Sequence, residues 1–220
     1  MRSWGWKWVI ATFLGLTLLG VAEAAKPEPA GYVTRVQGSV RALPMEPPGG
    51  PSRPLGLGKP IYAGERLLTE PLARLEIRLR NGVAVTLGEK TEFIVQSVPD
   101  AGNSEGGTFM ELARGVFRAI TPKTAPDRLQ PVQVRTSVAV IGIRGTDFWG
   151  GFQFQPSALD VVMLAGTGVY VETSAGRVEL AAPDQGTTVN DPAQPPTAPR
   201  TWPTTKLRVA RNSVAWGEAR

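Results

Sequence analysis

Residues 73 to 87 constrain the fold more than any other stretch. Ala73, Leu75, Ile77 and Leu79 alternate with Arg74, Glu76, Arg78 and Arg80. Apolar side chains at a period of two, with charges between them, specify a strand with one buried face. Asn81-Gly82 follows, and Val83, Val85 and Leu87 answer on the return. An Asn-Gly pair between alternating apolar runs is the strongest short-range hairpin signal, so a β-hairpin over 73–87 is predicted.

Similar segments recur at eight- to twelve-residue spacing. Tyr32 to Val36 runs to Gly38 and Val40; Leu55, Leu57, Ile61 and Leu67-Leu68 follow; Thr91 to Val98 carries Phe93 and Val95 on one face. Thr108 to Ile120 breaks at Gly115, Phe152 and Phe154 turn through Pro156-Ser157 to Leu159, Val161 and Met163, and Val169, Val171, Val178 and Leu180 close the series. Glycine (25) and proline (20) make up about a fifth of the 220 residues, above the usual share of roughly an eighth, which favours short strands and turns. With 42% apolar residues the chain has enough for a real core. The expected fold is all-β: a single domain of many short strands, sandwich or short solenoid-like, with a Pro-rich C-terminal tail. From about Gly186 the pattern dissolves, and Asp191 to Pro203 is dense in proline. The terminal segment, with Leu207, Val209, Val214 and Trp216, is either a closing strand or a short docked helix, with Trp216 packed against the domain.

The amino terminus carries Arg2 and Lys7, an apolar stretch from Val9 to Val21, and Ala22-Glu23-Ala24. This is the order of a secretory signal peptide, and cleavage is expected between Ala24 and Ala25. The apolar stretch falls short of the ~20 residues that span a bilayer. The organisation read from the sequence is a signal peptide at 1–24, a leader at 25–30, the β domain at 31–186, and a Pro-rich connector with a terminal segment at 187–220. A periplasmic or otherwise exported location follows, with no membrane span after cleavage.

Much chemistry is excluded by composition. There is no Cys and no His, which removes disulfides, thiolate nucleophiles, the commonest zinc ligands and the usual general base. Asp184 and Asp191 are too few for calcium, and no cofactor or metal is expected. Gly49-Gly50, Gly106-Gly107 and Gly150-Gly151 lack the strand, lysine and helix of a phosphate loop and are read as turns. The net charge of +5 is scattered, which argues against a nucleic-acid partner. Asp147 and Asp160 are the best pair for carboxylate hydrolysis. Ordinary pairing is favoured instead, Asp147 with Arg144 or Arg135 and Asp160 at the start of a strand, so the chain is expected not to be an enzyme.

The stretch from Val132 to Phe148 reads as two strands joined at a kink where Gly142 and Gly145 fall. Arg144 is the one charge between Ser137 and Thr146. A charge beside a buried strand needs backbone carbonyls or a carboxylate, so Arg144-Gly145-Thr146 is read as a structural corner. Phe152 and Phe154 share a face and Phe148 points inward, which leaves Trp149 as the exposed aromatic for stacking on a sugar or anchoring a partner.

Taken together, the segments resemble the FecR-type periplasmic domain family over residues 31 to 186. The likeness is carried by Gly31, Val36, Gly38 and Val40; by Leu55, Gly58, Ile61, Gly64 and Thr69; and by Ala73 to Leu79 with Asn81-Gly82. It continues through Leu112, Gly115 and Phe117, through Val134, Thr136, Val140, Arg144-Gly145-Thr146 and Phe148, and through Gly166, Val169 and Val171. Glu65 and Asn81 stand where the family has Asp, with turn chemistry kept. The resemblance implies Thr136, Arg144, Gly145, Thr146 and Phe148 as family-motif residues of structural kind, in a stand-alone exported member. It implies a non-enzymatic protein-interaction module, in envelope signalling or regulation, whose partner is a cell-envelope protein. The alternative is a module binding carbohydrate, polysaccharide or peptidoglycan.

Overall fold

A computed structural model of the protein describes residues 27–44, 50–99, 106–122, 131–143 and 145–217. The expected signal segment 1–24, Arg144 and residues 45–49, 100–105 and 123–130 lie outside the described residues.

Among the described residues, alternation of buried and exposed side chains produces eighteen strands in two nine-stranded sheets. Numbered in chain order, the first sheet holds β1 (Gly31–Gln37), β4 (Pro60–Ile61), β6 (Arg74–Leu79), β7 (Ala84–Leu87), β10 (Val116–Ile120), β13 (Thr146–Gln155), β14 (Ala158–Gly166), β17 (Gln185–Val189) and β18 (Arg200–Thr201). The second holds β2 (Val40–Pro44), β3 (Arg53–Pro54), β5 (Glu65–Thr69), β8 (Glu92–Ser97), β9 (Thr108–Arg114), β11 (Val132–Arg135), β12 (Val140–Ile143), β15 (Val169–Thr173) and β16 (Gly176–Leu180). The chain passes back and forth between the sheets, and after β3 and β4 close one end, each later visit adds one or two strands further along. The result is a sandwich wound progressively from one end to the other, so both architectures expected from the sequence describe part of it. β9 and β11 pair in parallel, because the chain visits the first sheet as β10 between them, the crossover that parallel neighbours require.

The 73–87 hairpin is present as β6 and β7, with Ile77 opposite Val85 and Leu75 opposite Leu87. Its turn differs in detail from a two-residue Asn-Gly turn. Gly82 N–H bonds the Leu79 carbonyl and Leu79 N–H bonds the Val83 carbonyl. Gly82 takes φ +87°, so Arg80-Asn81 occupy the centre and Gly82 supplies the left-handed residue of a three-residue loop. Asn81 Oδ1 accepts from Val83 N–H at 3.3 Å and Nδ2 donates to Thr108 Oγ1 at 2.6 Å. Glu65 likewise holds its turn, accepting from Tyr62 N–H at 2.8 Å and from Arg53 Nη2 at 2.6 Å.

One continuous core fills the space between the sheets, with Leu75, Ile77, Phe117, Phe148 and Val161 from the first facing Leu67, Phe93, Leu112, Val134 and Val171 from the second. A second apolar cluster lies on the outer face of the first sheet. There Val116, Trp149 and Val162 are covered by Trp202 and by Leu207, Ala210 and Val214. The last three belong to helix α1 (Thr204–Ser213) and the residue after it. The sheet therefore continues past residue 186 through β17 and β18, and the docked-helix alternative for the terminal segment is the one found. Beyond the helix, Arg35 of β1 lies 4.3 Å over the Trp216 ring, and Gly217 N–H donates to Gln37 at 3.2 Å. The C-terminal segment is thus a strap that starts at β18 and runs back across the outer face to β1. Among the described residues, no helix is long and apolar enough to cross a membrane.

Candidate functional site

The described motif residues hold local structure at two ends of the β11–β12 hairpin, Thr136 at its turn and Gly145, Thr146 and Phe148 beyond its far end. Thr136 closes the β11–β12 turn: its hydroxyl accepts from Val138 and Ala139 N–H at 3.2 and 3.0 Å and donates to the Ala139 carbonyl at 3.0 Å. Gly145 takes φ +59°, a left-handed step that glycine makes without penalty, and delivers the chain into the first sheet. Thr146, buried to 1% exposure, ties three segments. Its N–H donates to Thr121 Oγ1 at 2.7 Å, its hydroxyl donates to the Gly168 carbonyl at 2.8 Å, and Gly168 N–H returns at 3.1 Å. Phe148 meets Phe117 edge-on, ring centroids 5.3 Å apart.

Trp149 requires a correction. It is 0% exposed, and its Nε1–H donates to Ser213 Oγ at 2.9 Å. Alternation correctly places it opposite Phe148, but that outer face is covered by the strap. It cannot stack on a sugar or anchor a partner while the strap is docked. Gly150-Gly151 is also corrected, from turn to mid-strand. A Cβ at Gly150 would sit 3.0 Å from the Phe117 ring and one at Gly151 2.6 Å from the Gly115 carbonyl, so β13 lies flat where side chains would hold it off.

The two candidate carboxylates do not form a pair. Asp147 stands opposite Ala165 and Asp160 opposite Gly151, which separates them by roughly 16 Å along the strands, well beyond the span of a glycosidase pair. Asp147 takes a two-pronged contact from Arg118, Nε at 2.8 Å and Nη2 at 2.6 Å. That hydrogen bond, opposed by burial and assisted by the Asp147 charge, holds the Arg118 guanidinium above its ordinary pKa. Asp147 thus has Arg118 as its partner. Asp160 sits inside β14 and does not begin it. Asp184 and Asp191 also have local work, accepting from Arg211 Nη2 at 2.9 Å and from Ala193 N–H at 2.8 Å. No group of three potential metal ligands occurs among the described residues.

Two other places carry more functional potential. The first was missed by sequence reasoning. Asp160, 2% exposed, accepts from Lys206 Nζ and from Thr188 Oγ1, each at 2.6 Å. The same ammonium lies 4.0 Å from the Trp202 ring and 4.8 Å from that of Phe154. Beside it opens a cavity of about 610 Å³ between β17, β18 and the start of α1. Leu207, Ala210 and Val214 at helical spacing were the available signal.

The second is the free edge of the second sheet. β16 pairs with β15, and no described strand lies on its other side. Thr173 pairs with Gly176 across a two-residue turn, Glu172 with Arg177 and Tyr170 with Glu179. The pair closing a two-residue turn is hydrogen-bonded, so alternation turns the N–H and C=O groups of Arg177 and Glu179 outward. Such groups form a template for an added strand.

Residues 65–179, more than half of the chain, match the model of the family described as FecR protein. The match begins with β5 and ends within β16. Two crystal structures of a protein from Parabacteroides distasonis, provisionally named an anti-sigma factor, share the fold. One is 17% identical with a TM-score of 0.52 and the other 16% identical with a TM-score of 0.51. In each case 65% of this chain and 62% of the other are covered, so the chain spans about three fifths of the length of those proteins. No curated protein matches the chain.

Proposed function

Since this chain belongs to the FecR protein family, we propose that it is a non-enzymatic interaction module outside the cytoplasm, binding another envelope protein in a signalling or regulatory role. The observation that carries this reading is the edge at β16, where Arg177 and Glu179 present backbone groups that no described strand pairs. Strand addition there would extend the second sheet without disturbing the core, with affinity from main-chain hydrogen bonds and selectivity from alternate side chains. The signal-like order of residues 1 to 24 supports export, and the name given to the fold's solved neighbours supports a regulatory role. The test is mild crosslinking of the tagged full chain in envelope extract, followed by isolation of the tagged protein. A stoichiometric protein partner is the expected result, and recovery of the chain alone contradicts the proposal.

A further inference from the structure

The cavity beside Lys206 is a site of a different kind from the β16 edge, and it lies at the first sheet's β18 end. Several hydrogen-bonding residues line it. Arg200, exposed on the two-residue edge strand β18, makes no ion pair among the described residues. Lys206 is fixed by Asp160 through one N–H, and an ammonium carries three donors. The Trp202 indole lies against the backbone of β17, where a Cβ at Gly186 would come 2.3 Å from Nε1. Its N–H has no acceptor among the described residues and is not one of the buried unpaired groups. Thr201 adds an exposed hydroxyl. No acidic side chain lines the cavity.

A site rich in donors, whose one neighbouring carboxylate, Asp160, is already bonded to Lys206 and Thr188, suits an acceptor-rich ligand, and Arg200 favours an anionic one. A guanidinium fork fits a planar carboxylate in two-pronged fashion. Phe154, 36% exposed and 5.9 Å centroid to centroid from Trp202, adds an apolar surface next to these polar groups. A cavity of about 610 Å³ is in the range of small-ligand sites. The geometry points to a binding site for an acidic oligosaccharide. In it Arg200 takes a sugar carboxylate and supplies the net positive charge, since Lys206 is neutralised by Asp160, while Trp202 and Thr201 bond ring hydroxyls.

The test is calorimetric titration of the full chain at low salt with trigalacturonate, a neutral trisaccharide and inorganic phosphate as separate probes. Trigalacturonate is expected to bind at least tenfold more tightly than either comparison probe. Arg200→Glu is expected to weaken it by about tenfold or more, because an attractive charge becomes a repulsive one. Trp202→Phe, which keeps a ring and removes the N–H, is expected to weaken it several-fold. Arg200 is exposed, so the first variant should melt with the wild type; if it does not, Arg200→Gln carries the same comparison. The site is overturned by no binding of trigalacturonate, by equal binding of the neutral sugar, by phosphate binding as tightly, or by affinity that ignores residue 200.

Discussion

Lys206 of the C-terminal helix and Asp160 inside β14 meet at 2.6 Å, and this one contact joins residues that the chain separates by the whole β17–β18 excursion. Asp160 sits on a strand whose two faces are both covered, by the core on one side and the strap on the other. A carboxylate in that position is tolerable because Lys206 and Thr188 satisfy it.

Removing the cation should therefore cost more than an ordinary surface pair. Lys206→Met is expected to destabilise the protein by roughly 3 kcal/mol, since it leaves a buried carboxylate facing apolar rings. Adding Asp160→Asn should recover part of that loss, because the two side chains act as one unit. Urea unfolding of both single variants and the double variant measures the coupling.

Trp149 and Ser213 provide a second attachment of the same strap, through a 2.9 Å hydrogen bond. Trp149→Phe and Ser213→Ala should each cost about 1 kcal/mol by denaturant unfolding, and the double variant little more than either alone.

Gly142 lies under the Tyr170 ring, and a Cβ there would sit 1.9 Å from Cζ. Tyr170 is held by Gln133 Nε2 at 3.0 Å and by Arg177, whose Cζ lies 3.8 Å over the ring. Gly142→Ala should displace the ring and cost about 1 to 3 kcal/mol. Combined with Tyr170→Ala, the alanine at 142 should add almost nothing, as thermal unfolding of the four proteins will read.

Arg118 gives the pH prediction. The Asp147 hydrogen bond holds its folded-state pKa above the ordinary guanidinium value. A raised basic group stabilises fully below its unfolded pKa and loses that contribution only as pH climbs through the folded value. Arg118→Gln should thus lower stability by about 1 kcal/mol, a figure kept small because the side chain is partly solvent-screened. The decrement should be the same at pH 7 and pH 10. A decrement that fades across that window would contradict the pairing.

The sequence was most legible where one face of a strand is buried and the other wet. Ala73 to Leu87 shows this clearly: its alternation anticipated β6, β7 and their register. Thr136 sits in a turn, Gly145 makes a left-handed step, and Thr146 and Phe148 are buried. Legibility failed where a second layer covers the far side. Trp149 alternates with Phe148 as expected, yet nothing local announces that Leu207, Ala210 and Val214 will lie over it. Period-two reasoning assigns residues to faces, and it cannot say which faces are wet. The Gly150-Gly151 pair failed for a related reason. Two glycines read as a turn, whereas here they remove side chains so that β13 can lie against Phe117 and β10. The Lys206–Asp160 contact depends on long-range packing that no short motif encodes.

The proposed partner strand would add to β16. The most direct measurement compares crosslinked partner recovery for the wild type and for an Arg177→Pro, Glu179→Pro variant, with thermal unfolding of both. These prolines remove outward-facing N–H groups while leaving the ladder to β15 intact, the placement that an edge strand tolerates. The account predicts a folded variant that recovers no partner. A folded variant that recovers the same partner in the same yield contradicts it.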